Sequence, residues 1–371
     1  MTAQWPSWLP LRSDLQALSP YGAPQVPSQA AMNTNENPFP PSPKLQAAIA
    51  AKLAEVSATL NRYPDRDAVL LRGALANFVN ELSGTNFSQN QVWAANGSNE
   101  ILQSVFLAFS GGKALGFTPS YSMHPLIAKV TSVEWIDGAR NNDLTFNIDR
   151  ALIQVKEFKP RLTFITTPNN PTGDAIAIKD ILALSKAVAS VGGLLIVDEA
   201  YAEFSQEVSS VSLIEENPHL IVIRTMSKAF AFAGARVGYL VGDSKIVDAM
   251  SLVRLPYHLS ALTQGAAVVA LDFRKELLSS VTTLISERER VVKALTGLGL
   301  SSIPSSANFV LFSGFAQSAP QLWQAMLDRG ILIRDVGLSG YLRVTIGNEA
   351  ENNLFIEALA QIVSQKTGEQ L

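Results

Sequence analysis

The sequence predicts an α/β fold with a mainly parallel sheet and a second, smaller α+β domain. Between about residues 90 and 242, short apolar runs alternate with segments whose apolar residues recur at helical spacing. This alternation is the pattern of βαβ units. After about residue 245 longer helical patterns appear, among them 284–297 with its charged "SERERVVK", and only two further short strands. A chain of 371 residues is long enough for both units.

The elements follow in a simple order along the chain. Residues 1–40 are rich in Pro, Asn, Gln and Ser and predict an extended arm with turns. Helical patterns are predicted at 44–56 and 66–82, and strands at 91–95, 113–117, 162–166, 194–200, 220–225, 238–242, 308–312 and 341–347. We therefore expect an N-terminal arm (1–40) that joins the smaller domain, a large domain (41–260) and a small C-terminal domain (261–371).

Composition excludes several classes of function. The net charge is -3 and no basic stripe is present, so nucleic acid is not an expected partner. Without cysteine the chain has no disulfide, Fe–S cluster or thiolate zinc site, and its three histidines lack metal-ligand spacing. No signal peptide and no apolar run of about 18 residues is found, so we expect a soluble, cytoplasmic protein without a membrane segment.

Polar groups follow five of the predicted strands. If the sheet is parallel, these groups converge at its carboxyl edge, where open α/β sheets bind their ligands. The five are Gly97-Ser98-Asn99, Tyr121, Asn169-Asn170-Pro171, Asp198-Glu199-Ala200-Tyr201 and Ser227-Lys228.

Two of these turns suit an anion or a polar ligand. In "NGSNEILQSVFLAF", Gly97 permits close backbone approach, and Ser98 and Asn99 leave N–H groups at a helix N-terminus, which favours phosphate. An ordinary helix cap uses the same residue types. In "TTPNNPTGD" (166–174), Asn170 can place an amide at the same edge, although a plain strand-to-helix turn also fits.

Two acids end the nearly all-apolar strand at 194–200. At a helix N-terminus both would be stabilised by the helix dipole. Alternatively Asp198, poorly solvated at a strand end, requires a positive partner such as a protonated heterocyclic nitrogen. Tyr201 then offers a phenol to a ring oxygen.

Lys228 lies in "RTMSKAFAFAGAR", flanked by methionine, alanine and phenylalanine residues. Lysine is usually a solvated surface residue, but apolar surroundings lower its pKa and favour the neutral amine, the nucleophile for Schiff-base formation. Arg236 and the hydroxyls of Thr225 and Ser227 can neutralise a phosphate beside it. A phosphate site, a carboxylate, a phenol and an imine-forming lysine together indicate pyridoxal phosphate.

Motifs along essentially the whole chain carry a family resemblance. Through "PNNPTG", "VDEAY" and "SKAFAFAG" the sequence resembles the fold-type I, class I/II aminotransferases. "NTNENP" and "NRYPD" narrow the resemblance to the histidinol-phosphate aminotransferases of the actinobacterial kind. The resemblance implies a seven-stranded, mainly parallel sheet in the large domain. "FPPS" and "MNTNENP" depart from the common pattern without touching a group that the chemistry needs.

The resemblance also implies the cofactor, pyridoxal 5'-phosphate, and its ligands. Lys228 would form the Schiff base and then move a proton between Cα of the substrate and C4′ of the cofactor. Asp198 would pair with the pyridinium nitrogen and Tyr121 would stack on the ring. The other implied ligands are Tyr201 and Asn170 at the phenolic oxygen and Ser98, Asn99, Thr225, Ser227 and Arg236 at the phosphate. Lys228, Asp198 and Tyr201 are the catalytic residues of this set.

Tyr63, in "NRYPD", matches a family tyrosine that reaches the cofactor phosphate of the neighbouring subunit, which implies a homodimer with shared active sites. Arg343 matches the substrate-binding arginine and would take a phosphate or an α-carboxylate, both of which suit its planar fork. Arg334 matches a second substrate-side arginine. Tyr21, Asn37, Asn170 and Tyr257 complete the implied substrate end. Packing for Tyr257 and a surface ion pair for Arg334 are the alternatives.

The implied reaction is a ping-pong transamination of L-histidinol phosphate with 2-oxoglutarate, giving imidazole acetol phosphate and glutamate, a step of histidine biosynthesis. An aromatic amino acid aminotransferase shares most of these motifs and is the nearest alternative. A phospho-amino-acid decarboxylase on the same fold and a cofactor-binding sensor are further ones, although the sensor is disfavoured because the lysine and the aspartate are both present.

Overall fold

The computed structural model describes residues 5–364. In this part of the chain the helices and strands are β1 (Ala30–Ala31), α1 (Pro43–Ser57), α2 (Val69–Ser83), β2 (Val92–Ala95), α3 (Ser98–Phe109), β3 (Ala114–Thr118), α4 (Met123–Val130), β4 (Trp135–Ala139), α5 (Ile148–Phe158), β5 (Leu162–Thr166), α6 (Ile178–Ser190), β6 (Leu194–Asp198), β7 (Leu220–Thr225), β8 (Gly238–Val241), α7 (Ser244–Val253), α8 (Ala261–Asp272), α9 (Arg274–Gly297), β9 (Ser301–Ser302), β10 (Phe309–Ser313), α10 (Ala319–Leu327), β11 (Ile331–Leu332), β12 (Tyr341–Thr345) and α11 (Glu349–Ser364).

Seven strands form the large sheet in the order β2-β8-β7-β6-β5-β3-β4. Strand β8 runs antiparallel to both of its neighbours, and the other strands share one direction. This confirms the predicted α/β fold with a mainly parallel sheet. Because these strands run in one direction, their carboxyl ends share one edge of the sheet.

The two-residue strands β1, β9 and β11 were not predicted, and three longer elements also differ from the predictions. Strand β4 was missed because its segment "WIDGA" lies at the edge of the sheet, is only partly buried and so lacks a continuous apolar run. Helix α2 begins at Val69 rather than at residue 66, since Asp65 accepts a hydrogen bond from the Val69 amide at 2.8 Å in the preceding turn. Helix α9 begins at Arg274, ahead of the predicted start at 284.

Alternation of side chains along the strands separates two cores. In β6, Leu195 and Val197 belong to the core shared with α1, α2, α5, α6 and α8, whereas Ile196 faces the core under α3, α4 and α7. Because successive side chains of a strand point to opposite faces, Asp198 lies on the Ile196 face. The end of the strand therefore places the carboxylate on the side of α3 and α4.

A third core forms around α9, α10, α11 and the antiparallel sheet β12-β10-β9. The arm contributes to it, because β1 pairs in parallel with β11, with Ala30 opposite Ile331, and Met32 donates its amide to the Leu332 carbonyl at 2.8 Å. These contacts support the predicted union of the arm with the C-terminal part. The boundaries at residues 40 and 260 stay a prediction.

Within residues 5–364, no helix combines the length and the apolar character needed to cross a bilayer.

Candidate active site

A cavity of about 470 Å³ lies at the carboxyl edge of the large sheet. Its walls come from the loops after β2, β3, β5, β6 and β7, from the arm, and from the segment 334–343. It brings together most of the predicted site residues: Tyr21, Ser98, Asn99, Tyr121, Asn170, Asp198, Tyr201, Thr225, Ser227, Lys228, Arg236, Arg334 and Arg343.

An arginine and a glycine turn form a tight pocket where α3 begins. Gly97 has a φ of 82°, and a Cβ at this position would lie 2.5 Å from Arg236 Nη2. Arg236 Nη1 donates to Ser227 Oγ at 3.3 Å, and the Thr225 and Ser227 hydroxyls lie 3.0 Å apart. The start of the helix at Ser98, the two hydroxyls and the guanidinium thus meet at one place. This donor set suits a phosphate.

Asp198 is almost fully buried at the end of β6. Its Oδ1 accepts the Ala200 amide at 3.1 Å, and its Oδ2 lies 3.3 Å from His124 Nε2 on α4, which is equally buried. These contacts fix the orientation of the carboxylate, which also lines the cavity. A carboxylate this poorly solvated favours a cation on its cavity side.

The neighbouring Glu199 points to the opposite side of the strand and forms a buried ion pair. Arg224 Nη2 lies 2.9 Å from Glu199 Oε2, and Arg224 Nη1 lies 3.2 Å from Glu203 Oε1. Burial raises the pKa of the Glu203 carboxyl. Because Glu199 follows β6 and Arg224 belongs to β7, the pair holds together the two strand ends that carry Asp198 and Lys228.

Lys228 is partly buried beneath the arm. Its Nζ donates to the Thr34 carbonyl at 2.8 Å. Burial lowers the pKa of the Lys228 amine to about 8, and the positive charge of Arg343 acts in the same direction. The lowered pKa predicted from the apolar neighbours in sequence agrees with this environment, and a neutral amine is the form that attacks an aldehyde.

Tyr201 is buried beside Phe309, with the two rings in an edge-to-face arrangement. Its Oη accepts hydrogen bonds from Asn35 Nδ2 at 2.9 Å and from Asn170 Nδ2 at 3.4 Å. Burial raises the pKa of the Tyr201 phenol to about 12. The phenol therefore keeps its proton at neutral pH and can donate it into the cavity.

Arg343 is the most enclosed of the substrate-side cations. Its Nη1 donates to Asn170 Oδ1 and its Nη2 to the Asn33 carbonyl at 2.8 Å. Its Nε is buried and has no hydrogen-bond partner among residues 5–364. The guanidinium lies over the Phe309 ring at 5.0 Å. Burial lowers the pKa of Arg343 to about 10, far enough above neutrality to keep it charged. Arg334 forms an isolated antiparallel bridge with it.

Two tyrosines form part of the remaining wall. Tyr121 donates from Oη to Asn99 Oδ1 at 3.2 Å, and burial raises the pKa of the Tyr121 phenol. Tyr21, from the arm, is half exposed at the rim. The positions agree with the predicted roles, which stay predictions.

Three predicted residues lie outside the cavity walls. Tyr63 is 79% exposed and stacks on Tyr257 with ring centroids 4.3 Å apart. Asn37 donates from Nδ2 to the Ala229 carbonyl and, at 3.0 Å, to Ser280 Oγ, so it supports the Lys228 segment from behind. A direct role of these three in cofactor or substrate binding stays a prediction.

The structure adds site residues that sequence reasoning missed: Asn33, Thr34, Asn35, Glu36 and His124. The first four stand in or beside "NTNENP", a motif whose density of amides was the available signal. His124 carried no signal, since it stands alone in an apolar helix.

Comparison with known proteins gives consistent matches. The family model "Aminotransferase class I and II" matches residues 27–359. A histidinol-phosphate aminotransferase of Mycobacterium marinum is 53% identical over 96% of this chain and 93% of its own length. Another, from Mycolicibacterium vanbaalenii, is 53% identical over 95% of this chain and 96% of its own. The structure of histidinol-phosphate aminotransferase from Sinorhizobium meliloti, in complex with pyridoxal-5'-phosphate, covers 97% of this chain and 99% of its own, with TM-score 0.82 and 22% identity. The last likeness shows the fold alone.

Proposed function

We propose that this chain, which belongs to the aminotransferase class I and II family, transfers the amino group of L-histidinol phosphate to 2-oxoglutarate with pyridoxal 5'-phosphate as its cofactor. The products are imidazole acetol phosphate and glutamate, and the reaction belongs to histidine biosynthesis. Relatives that are 53% identical over nearly the whole chain carry this activity in their names, which supports the proposal. The proposal includes a cytoplasmic location, which cell fractionation tests.

The charge of the cavity carries the proposal. Four cations line it, namely Lys228, Arg236, Arg334 and Arg343, together with the carboxylates of Glu36, Asp198 and Asp335. None of the four cations takes part in an ion pair within the described residues. Buried or partly buried guanidinium groups that form no ion pair favour anionic ligands. Arg236 suits one phosphate, and the Arg334–Arg343 pair suits a second anion on the substrate.

The residues present fit pyridoxal phosphate. A Cβ at Gly97 would lie 2.5 Å from Arg236 Nη2, so a side chain at this position would require the guanidinium to move away from the turn. The buried Asp198 carboxylate supplies the anion that a pyridinium nitrogen needs, and Tyr201 supplies a phenol proton. When bound, the cofactor is an electron sink that makes the proton on the substrate α-carbon acidic.

Different residues of this chain would then bind the cofactor and move the proton. Arg236, Ser227 and the start of α3 hold the cofactor phosphate, and Asp198 keeps the proton on the ring nitrogen. The Lys228 amine, with its lowered pKa, would be the base that takes the proton from Cα of the substrate and the acid that returns it at C4′ of the cofactor. Tyr201 donates to the phenolic oxygen and so stabilises negative charge there.

The substrate end has to accept two different anions in turn. Arg334 and Arg343 lie opposite each other in an antiparallel backbone bridge, and both line the cavity. A phosphate from histidinol phosphate and the α-carboxylate of glutamate both suit a bidentate guanidinium contact. This arrangement explains how one site serves both half-reactions.

The substrate assignment is tested by steady-state kinetics with histidinol phosphate and phenylalanine as competing amino donors and 2-oxoglutarate as the acceptor. We expect the higher kcat/KM with histidinol phosphate. Replacing Arg334 with Met should lower that value while changing kcat/KM for phenylalanine less, because Arg343 alone can bind the single α-carboxylate of phenylalanine. A preference for phenylalanine by about a hundredfold, or about 2.7 kcal/mol, would make the protein an aromatic amino acid aminotransferase.

We further propose that the partner is a second copy of this chain. Segments 60–70 and 252–257 lie side by side, joined by the Tyr63–Tyr257 stack and by a hydrogen bond from Arg254 to the Arg66 carbonyl. They expose the leucines Leu60, Leu70, Leu252 and Leu255. Apolar exposure of this extent marks a surface that another protein covers. Tyr63 at its centre is the residue expected to reach the partner's site.

Mixing two inactive variants tests the shared site. Lys228→Ala removes the amine, and Tyr63→Ala removes the tyrosine that completes the partner's site. After subunit exchange, half of the dimers are hybrids with one intact site, so about a quarter of the wild-type activity should return. Mixed variants that stay at the sum of their separate activities, in a protein that sediments as a dimer, would show that Tyr63 serves its own subunit.

A further inference from the structure

Asn35 is a buried residue of the arm to which the family resemblance gives no role. It is 1% exposed and has a φ of 56°, in the left-handed region that L-residues seldom adopt. Asparagine tolerates this region better than most residues. A polar residue held there inside the protein calls for an account of what its amide does.

The hydrogen bonds around Asn35 fix the orientation of its amide. The Asn35 backbone N–H donates to Thr345 Oγ1 at 3.0 Å, and Thr345 Oγ1 lies 3.0 Å from Asn35 Oδ1. Since the Thr345 oxygen accepts the backbone N–H, its single proton is available to Oδ1. Nδ2 must then face the other way, and it donates to Tyr201 Oη at 2.9 Å.

The amide of Asn170 also donates a hydrogen bond to Tyr201, as the amide of Asn35 does. Arg343 donates to Asn170 Oδ1, and an arginine has no acceptor, so the Asn170 amide is also fixed. Its Nδ2 lies 3.4 Å from Tyr201 Oη, on the same oxygen that accepts Asn35. Tyr201 therefore accepts from two amides, and its own proton has to leave in another direction.

We propose that Asn35 is a positioning residue that directs the hydroxyl proton of Tyr201 into the cavity, and that Thr345 keeps the Asn35 amide in the orientation this requires. The inference rests on the proposed function, because the proton's target is the phenolic oxygen of the cofactor. Asn35 touches Tyr201 and acts only through it.

The hydrogen bonds around Asn35 also hold the arm in place beside Tyr201. The Asn35 carbonyl accepts Asn308 Nδ2 at 3.1 Å, and Thr345 donates its own amide to the Met32 carbonyl at 2.9 Å. The arm is thus held by β12 at Met32 and by Asn308, the residue before β10, at Asn35. Tyr201 becomes a dedicated donor only when the arm is in place.

The experiment measures the pH midpoint of the visible band of the cofactor-loaded protein. With the cofactor bound, the midpoint would report loss of the proton on the Lys228 nitrogen. A hydrogen-bond donor to the phenolic oxygen would stabilise the negative charge on that oxygen and so lower the midpoint. Asn35→Gly removes the amide, introduces no charge and accepts a φ of 56°. It should raise the midpoint by about one pH unit, the equivalent of one hydrogen bond or ~1.4 kcal/mol.

Two further variants distinguish a positioning role of Asn35 from a general destabilisation of the site. Tyr201→Phe should raise the midpoint by a similar amount, and Asn35→Gly combined with it should add nothing, because both changes remove one donor. Lys159→Gly is the matched control, since Lys159 is also left-handed (φ 47°) but ends α5 outside the cavity walls. It should leave the midpoint unchanged.

The possible results test the role of Asn35 and the proposed function separately. A wild-type midpoint in folded Asn35→Gly, or shifts that add in the double variant, would overturn the role of Asn35 while leaving the proposed function intact. If Asn35→Gly does not fold, Thr345→Val decides, and an unshifted midpoint there overturns the proposal. A wild-type protein that shows no cofactor band at all would overturn the proposed function and this inference together.

Discussion

The amine of Lys228 should titrate near pH 8 in the cofactor-free protein. Burial is the main cause of its lowered pKa, and the positive charge of Arg343 adds to it, whereas the carboxylate of Glu36 opposes it. The variable in the experiment is therefore pH. Replacing one or the other charged neighbour gives two variants whose effects on the Lys228 pKa should have opposite signs. Arg343→Met should move the Lys228 midpoint up, and Glu36→Gln should move it down.

The expected size follows from the two pKa values. A lysine with the ordinary pKa of 10.5 is neutral in only about 0.03% of molecules at pH 7, whereas one at about 8 is neutral in about a tenth. The difference, 10.5 − 8 = 2.5, corresponds to an approximately 300-fold larger supply of nucleophilic amine.

Competitive labelling with an amine-selective reagent, read residue by residue by mass spectrometry, measures this midpoint without the cofactor. Lys245 serves as the internal reference, because it is exposed and Asp248 raises its pKa above the ordinary value. A Lys228 midpoint at or above that of Lys245 would refute the reasoning.

The same titration has a consequence for stability. Between pH 8 and 10.5 the unfolded chain holds the Lys228 proton and the folded chain does not, so the contribution of this group to the free energy of unfolding rises with pH across that window. Below pH 8 both states are charged and the burial penalty is present in full. Urea titrations of the cofactor-free protein and of Lys228→Met should therefore differ more at pH 7 than at pH 10.

Two further predictions concern the cofactor's ends. Asp198→Asn leaves the shape of the site unchanged but removes the buried charge. The loss should cost about 3 kcal/mol, or about a hundredfold in kcat, with an unaltered circular dichroism spectrum. A kcat within threefold of the wild type would contradict the ring-nitrogen role. Gly97→Ala places a Cβ 2.5 Å from Arg236 Nη2 and should weaken cofactor binding at least tenfold by equilibrium dialysis, since a hydrogen bond to a charged group contributes about 1.5–3 kcal/mol. Gly84→Ala is its control, because Gly84 is also left-handed (φ +65°) but a Cβ there would meet no atom of residues 5–364 within 4 Å. Equal cofactor affinities in the two variants would contradict the phosphate pocket.

The sequence predicted those features of the site that depend on residues close together in the chain. Asp198 ends an apolar strand, Lys228 stands among apolar neighbours, and Arg236 follows it after eight residues. Each of these features lies within one strand and the turn after it, so spacing along the chain was enough to predict the parallel sheet and the edge at which the groups meet. The edge strand β4 escaped because partial burial leaves it without the apolar run that identified the others.

The tertiary structure decided which distant groups touch those residues. The partner of Lys228 is the Thr34 carbonyl, 194 positions away, and Asn35 meets Tyr201 across 166 positions and Thr345 across 310. No periodicity or spacing records such contacts, because they arise only when the arm pairs with β11 and lies over the sheet edge. The sequence by itself determined the fold class and the residue types of the site. Packing of the arm decided the burial that lowers the pKa of Lys228 and the direction in which the Tyr201 proton points.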